Sequence, residues 1–193
     1  MVSIELPLIL ASGSPRRKEL LSMMGLDYTI DVSQVDEHAQ GAPDEMVIEL
    51  SGRKAQAVAR RYQSALVLAA DTLVYGSGRV LGKPASDADA FDMLRSLSGQ
   101  WHEVYTGMTL IDTRSGRCLQ RADCTKVHFT ALSDEDIRAY IATGEPRDKA
   151  GAYAIQGMGG MFIDRIEGSY SNVVGLPTAM LRDMLSEMLR DEA

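Results

Sequence analysis

The sequence predicts an α/β protein built on an open sheet, and three stretches carry that prediction. Leu8-Ile9-Leu10-Ala11 is a short apolar run of the kind covered on both faces in a sheet. Ser12-Gly13-Ser14-Pro15 follows it and opens a helix. Ala65 to Ala70, the most apolar run in the chain, follows a long helical segment and reads as a central strand ending at Asp71-Thr72. Trp101 to Asp112 and Arg117 to Thr130 read as two long strands joined at Ser115-Gly116, which adds an antiparallel part.

Each element has its local reason. In the first turn, Gly13 lets a ligand approach the backbone, Ser14 suits an N-cap, and Pro15 suits the first helical position. That helix runs to about Met24, with Gly25 after its end. Tyr28 to Val32 alternates like a strand and leads into Asp36-Glu37. Pro43 opens a helix to about Tyr62, with Asp44 and Glu45 in its first turn and Arg60 and Arg61 in its last. Leu73 to Leu81 reads as a hairpin turning at Gly76-Ser77-Gly78-Arg79, and it delivers Gly82-Lys83-Pro84.

Ser86 or Asp87 starts a helix closed by Gly99, and Ser133 caps another to about Thr143. Asp148 to Gly160, rich in small residues around Gln156, signals a bent strand or a close backbone approach. Met161 to Ile166 and Tyr170 to Val174 look like a hairpin. Pro177 leads into a last helix with Leu181, Met184, Leu185 and Met188 on its apolar side. No repeat, low-complexity tract or linker interrupts residues 1–193, so one domain is expected.

Bulk properties narrow the function classes. The formal net charge is −7 and the sequence pI about 5.0, which argues against a general nucleic-acid binder. No segment approaches the ~20 apolar residues of a membrane span, and no signal peptide is apparent. Cys118 and Cys124 on one strand would lie roughly 20 Å apart, too far to bridge, so reduced thiols in the cytoplasm are expected. His38, His102 and His128 form no ligand pattern and are read as structural or surface residues.

The residues with chemistry cluster in the predicted turns. Arg16, Arg17 and Lys18 add cations to a helix N-terminus that is already positive, an unfavourable placement unless an anion sits against them. Hydroxyls, a glycine and paired arginines there make a phosphate site. As exposed first-turn cations, Arg16 and Arg17 should contribute little to folding. Lys54, taken alone, reads as an exposed lysine. Glu37 and Asp71 are carboxylates after strand ends, where Mg²⁺ finds the one or two carboxylates it needs beside substrate phosphates. Ser12, Ser14, Thr72 and Lys83 complete the set. Together these groups would hold a polyphosphate and a hard cation while a carboxylate takes a proton from water. The sequence contains no G-x-x-x-x-G-K-[ST], no G-x-G-x-x-G after a strand, no G-x-S-x-G and no H-E-x-x-H.

Ser12-Gly13-Ser14-Pro15-Arg16-Arg17, Asp36-Glu37, Lys54-Ala55, Ala70-Asp71-Thr72, Gly82-Lys83-Pro84, Lys149-Ala150-Gly151-Ala152-Tyr153, Ile155-Gln156-Gly157 and Val174-Gly175-Leu176-Pro177 resemble, in order and spacing, the Maf family of nucleotide pyrophosphatases. The resemblance implies an elongated mixed sheet flanked by helices, with two lobes around a cleft, similar to the inosine triphosphate pyrophosphatases. It implies a divalent-metal enzyme, using Mg²⁺ or Mn²⁺, that cuts a nucleoside triphosphate to the monophosphate and pyrophosphate. By motif match Asp71 is the general base and, with Glu37, a metal ligand. Ser12, Ser14, Arg16, Arg17, Lys54 and Lys83 hold substrate. Arg16, Thr72 and Gln156 match the branch preferring dTTP and UTP, and its modified pyrimidine substrates, over the 7-methyl-GTP branch. The resemblance also carries a link to homodimer formation and to cell-division arrest. The alternative reading is therefore a nucleotide-binding regulatory protein of the same fold.

Overall fold

A computed structural model describes residues 4–190 of the chain. The strands are β1 (Leu8–Leu10), β2 (Thr29–Ile30), β3 (Leu66–Gly76), β4 (Arg79–Leu81), β5 (Trp101–Asp112), β6 (Cys118–Phe129) and β7 (Ile163–Glu167). The α-helices are α1 (Pro15–Met23), α2 (Pro43–Ala59), α3 (Asp87–Leu97), α4 (Asp134–Ala142), α5 (Tyr170–Val174) and α6 (Thr178–Arg190). The strands form one seven-stranded mixed sheet of order β2-β1-β3-β5-β6-β7, with β4 paired to β3. The protein is thus α/β, as the sequence predicts.

The chain divides into two compact units, and β3, β5 and β6 contribute residues to both. The first unit holds the described residues up to Asp71, Thr106–Asp123, and those from Gly175 on. Here β1 pairs in parallel with β2 and with β3. Ile9, Ala11, Val67 and Ala69 pack against Ala55 and Val58 of α2 and Ile111 of β5. Small residues let helix and sheet approach: a Cβ on Gly107 would sit 2.3 Å from the Val47 carbonyl oxygen. In α6, Leu181, Met184, Leu185 and Met188 are buried at helical spacing.

The second unit holds Thr72–Tyr105 and Cys124–Val174. In it β3 pairs antiparallel with β4, and β6 with β7. Its core gathers Val74, Leu94, Leu97, Val104, Val127, Phe129, Ile137 and Tyr153. Phe129, His102 and Tyr153 meet edge to face, and His102 Nε2 lies 2.8 Å from the Tyr153 hydroxyl. The caps expected at Ser86 and Ser133 form: each hydroxyl accepts from the third residue on, Asp89 N–H and Asp136 N–H.

Several local expectations are corrected. β3 does not end at Asp71; it runs on to Gly76, because Val74 to Gly76 pair with Leu81 to Arg79 and extend the same strand. The expected second arm of the last hairpin is helix α5. Its Ser169 hydroxyl accepts from Asn172 N–H at 3.3 Å, a helix-start contact that outweighs the strand preference of the valines. Ala150–Ala152 and Met158–Phe162 are 3₁₀ turns, so Asp148 to Gly160 is not a bent strand; the close backbone approach that the sequence also allowed is present, since a Cβ on Gly157 would fall 2.5 Å from Glu145 Oε2. Arg60 and Arg61 lie beyond α2, which ends at Ala59. Pro15 does open α1, and Gly25 takes φ 68° after its end, but the Ser14 hydroxyl makes no capping hydrogen bond. Neither Cys118 nor Cys124 forms a disulfide, and both are exposed. No helix among the described residues is long and apolar enough to cross a membrane.

Candidate active site

β1 ends beside the middle of β3, since Leu10 pairs with Leu68 and Ala11 N–H donates to the Leu68 carbonyl. The turn at Ser12–Ser14 therefore leaves the sheet near the residues that lead to Asp71. The Ser12 hydroxyl holds this turn, accepting from Ser14 N–H at 3.3 Å and from Arg17 Nη1 at 3.0 Å. Arg17 Nε donates to the Gly175 carbonyl at 2.9 Å. Arg17 is thus a part-buried strut between α1 and the chain entering α6. Burial lowers its pKa below the usual guanidinium value, and the nearby carboxylates of Asp71 and Glu37 oppose that shift. The expectation of an exposed first-turn cation holds for neither its packing nor its bonding.

Lys54 is buried, at 9% exposure, and the exposed reading of it is overturned. Three elements bring its ammonium to the carboxylates: α2 carries Lys54, β3 carries Asp71, and the loop after β2 carries Glu37. Lys54 Nζ lies 2.6 Å from Asp71 Oδ1 and 2.7 Å from Glu37 Oε1. Ala55 and Val58 pack α2 against Val67 and Ala69 of β3, which brings the neighbouring Lys54 close to Asp71 on the same strand. The Glu37 loop is itself held. Arg53 Nη1 donates to the His38 carbonyl at 2.7 Å and to the Asp36 carbonyl at 3.3 Å, so one guanidinium grips the residues on both sides of Glu37. Arg53 also pairs with Glu49 one turn back. The sequence reading missed Arg53; its place one residue before Lys54 was the available signal.

Ser12, Arg17, Glu37, Lys54 and Asp71 are therefore bonded or paired within the first unit, and Ser14 and Arg16 flank them at the start of α1. Thr72, the next residue after Asp71, belongs to the second unit, as do Lys83 and Gln156. Lys83 is exposed in the segment after β4. Gln156 is exposed at the corner of a turn closed by Gly157 N–H donating to the Ala154 carbonyl at 3.2 Å. A separate concavity of about 600 Å³ opens on the second unit beside Tyr75, Trp101, Glu103, Lys126 and Arg165. None of the sequence-predicted site residues lines it.

The gathered groups have a defined chemistry. Two carboxylates that share one lysine supply hard oxygen donors at a single point, and an ammonium and a guanidinium stand beside them. Among the described residues no three His, Cys, Asp or Glu side chains cluster as a closed metal cage. One or two carboxylates completed by phosphate oxygens and water is the donor set that suits Mg²⁺.

Residues 7–188 match the family described as "Maf-like protein". A dTTP/UTP pyrophosphatase of Pelotomaculum thermopropionicum is 50% identical over 182 residues, 93% of this chain and 95% of that protein. The dTTP/UTP pyrophosphatase of Clostridium tetani is 48% identical over 185 residues, covering 93% and 96%. That of Gloeobacter violaceus is 46% identical over 185 residues, covering 95% and 96%.

Proposed function

The chain belongs to the Maf family, and on that premise we propose that it is a nucleoside triphosphate pyrophosphatase hydrolysing dTTP and UTP. The observation that carries the reading is the convergence of Glu37 and Asp71 on Lys54 beside the Ser12–Arg17 turn. A protein that only binds a nucleotide has no need of a second carboxylate held beside a cation, so the regulatory alternative is not favoured.

In this mechanism the triphosphate lies against the start of α1. Helix N–H groups, Arg16 and Arg17 offset its charge, Ser12 and Ser14 donate hydroxyl hydrogen bonds, and Lys83 keeps the phosphate-binding role that the family resemblance assigns to it. Lys54 turns from its carboxylate partners toward phosphate oxygens, which leaves Glu37 and Asp71 available. Glu37 and Asp71 would hold Mg²⁺ or Mn²⁺, which when bound neutralises phosphate charge and polarises water. Water attacks the α-phosphorus, its proton passes to Asp71, and the bond to the bridging oxygen of the β-phosphate breaks. The products are the nucleoside monophosphate and pyrophosphate. Arg16, Thr72 and Gln156 select the pyrimidine: Gln156 offers a donor and an acceptor to a base edge, and an unmatched base leaves them unpaired. The same selectivity extends to modified pyrimidine nucleotides. The exposed thiols of Cys118 and Cys124, which form no disulfide, fit work in the reducing cytoplasm.

The test is pyrophosphate release from dTTP, UTP, ATP, GTP and 7-methyl-GTP, with Mg²⁺ or Mn²⁺ and with a chelator. The expected result is fastest cleavage of dTTP and UTP, abolished by chelation. Equal rates across the five nucleotides would overturn the pyrimidine assignment, and release unaffected by chelation would overturn the metal.

A further inference from the structure

The turn that carries Gln156 is fastened at both ends by one pair of side chains, the buried Tyr140 and the half-buried Glu145. The Tyr140 hydroxyl, on the last turn of α4, accepts from Ala154 N–H at 3.2 Å, at the entry to the turn. Glu145, just after α4, accepts from Met158 N–H through Oε2 at 3.0 Å and from Gly159 N–H through Oε1 at 3.0 Å, at the exit. Tyr140 then donates its own hydroxyl proton to Glu145 Oε1 at 2.7 Å, which joins the two fastenings. Gln156 stands between them at the corner of the Ala154–Gly157 turn.

The sequence is built around this contact. A Cβ on Gly157 would fall 2.5 Å from Glu145 Oε2, and one on Gly159 would fall 2.6 Å from the Tyr140 hydroxyl. Glycine at both places lets the backbone reach the two side chains. Tyr140 is 3% exposed and packs edge to face on Phe162, so its ring cannot drift. Burial pushes the Glu145 carboxyl up, but the hydrogen bonds from Gly159, Tyr140 and Met158 outweigh it and leave its pKa below the usual carboxylate value.

We propose that Glu145 and Tyr140 are positioning residues for substrate selection: they fix the Ala154–Gly160 turn so that Gln156 presents its amide to the base in one orientation. A flexible corner would let Gln156 adapt to purines as well as pyrimidines, because discrimination by hydrogen bonding depends on groups that cannot follow the wrong partner. The proposal rests on the reading of Gln156 as the base-facing residue.

Glu145→Gln keeps the size of the side chain but puts an NH₂ group where one carboxylate oxygen accepted, so at least one fastening is lost. Tyr140→Phe removes the link from the other side without changing the ring. The measurements are kcat/KM for UTP and for GTP, together with amide hydrogen exchange at Met158 and Gly159. Both variants should exchange faster at these amides. Both should lower the UTP-to-GTP ratio by about tenfold, chiefly through a higher KM for UTP, as expected for one misplaced hydrogen-bonding group. Gln156→Ala should lower the ratio at least as far, and Glu145→Gln added to it should lower it no further. If Gln156→Ala collapses the ratio while Glu145→Gln and Tyr140→Phe keep it, the proposal fails and the base-facing role of Gln156 stands. If Gln156→Ala itself leaves the ratio unchanged, that role fails and the proposal with it. Should Glu145→Gln not fold, Tyr140→Phe alone decides by the same ratio and exchange rates.

Discussion

Lys54 and Asp71 are joined at 2.6 Å from two elements that the sequence separates by a whole helix end and strand. Asp71 sits within a strand rather than at its tip, between the segment paired to β1 and the segment paired to β4, so its backbone is held before and after it. That rigidity suits a group that must accept a proton at a fixed place. Asp71→Asn keeps the shape and removes the base. The variant should fold and bind UTP with Mg²⁺ present, while turnover falls by at least ~10²-fold. Single-turnover kinetics with equilibrium binding separates the two. Near-normal turnover would exclude Asp71 as the base and direct attention to Glu37.

Arg16 and Arg17 are neighbours with different duties. Arg17 donates to the Ser12 hydroxyl and to the Gly175 carbonyl, so Arg17→Ala leaves two part-buried acceptors without that donor. It should cost about 1–3 kcal/mol in urea unfolding and also raise the KM for UTP. Arg16→Ala should raise KM with little change in unfolding, since a first-turn cation at a helix start is not stabilising. Equal unfolding midpoints for the two variants would show that the Arg17 strut contributes nothing to the fold.

Arg53 grips the carbonyls of Asp36 and His38, with Glu37 between them. Arg53→Met keeps the stem along α2 and releases the loop. The Mg²⁺ concentration giving half-maximal activity should rise several-fold. Thermal stability should change little, because a partly exposed arginine contributes about 1 kcal/mol or less. An unchanged metal requirement would mean that the loop holds its form without Arg53, or that Glu37 does not hold the metal.

The extent to which this site could be read from sequence follows from the range of the forces involved. Pro15, Gly25, Ser86 and Ser133 act within one turn of their own backbone, and the helices they bound are found where expected. The Ala65–Ala70 run marks a central strand because burial on both faces leaves an unbroken apolar pattern. The hairpin expected over Leu73 to Leu81 is also found, with Val74 to Gly76 paired to Leu81 to Arg79. What was not legible is that its first arm and the Ala65–Ala70 run are one strand, because no local property of Asp71 or Thr72 announces that the chain stays extended through them. Lys54 illustrates the same limit. A lysine among small residues is ordinarily solvated, and only the arrival of Asp71 and Glu37 makes its burial favourable. Glu145 could not be singled out either, since its partners Met158 and Gly159 are backbone groups whose position depends on the turn it fastens.

His102 supplies a pH dependence distinct from the catalytic groups. It is 2% exposed, lies against Phe129 and Tyr153, and burial, with a smaller contribution from His128, pushes its pKa down from 6.5 to about 4. In the unfolded chain the imidazole takes a proton below its ordinary pKa, while the folded protein refuses one until about pH 4. The unfolded state therefore binds more protons throughout this window, and stability falls as pH falls. The loss should be about 1.4 kcal/mol per pH unit, reaching about 3 kcal/mol across the window. The paired carboxyls of Asp112, Asp136, Glu145 and Asp164, whose pKa values are lowered, act in the same direction but at more acid pH, below the ordinary carboxyl range. His102→Gln cannot titrate. It should be less stable than the natural protein at pH 7, because the edge-to-face packing is lost, yet its stability should be flatter between pH 6.5 and 4. Urea unfolding of both proteins at half-unit steps measures the difference. Parallel curves would mean that the folded protein accommodates a charged imidazolium at this position, contrary to its burial among aromatic rings.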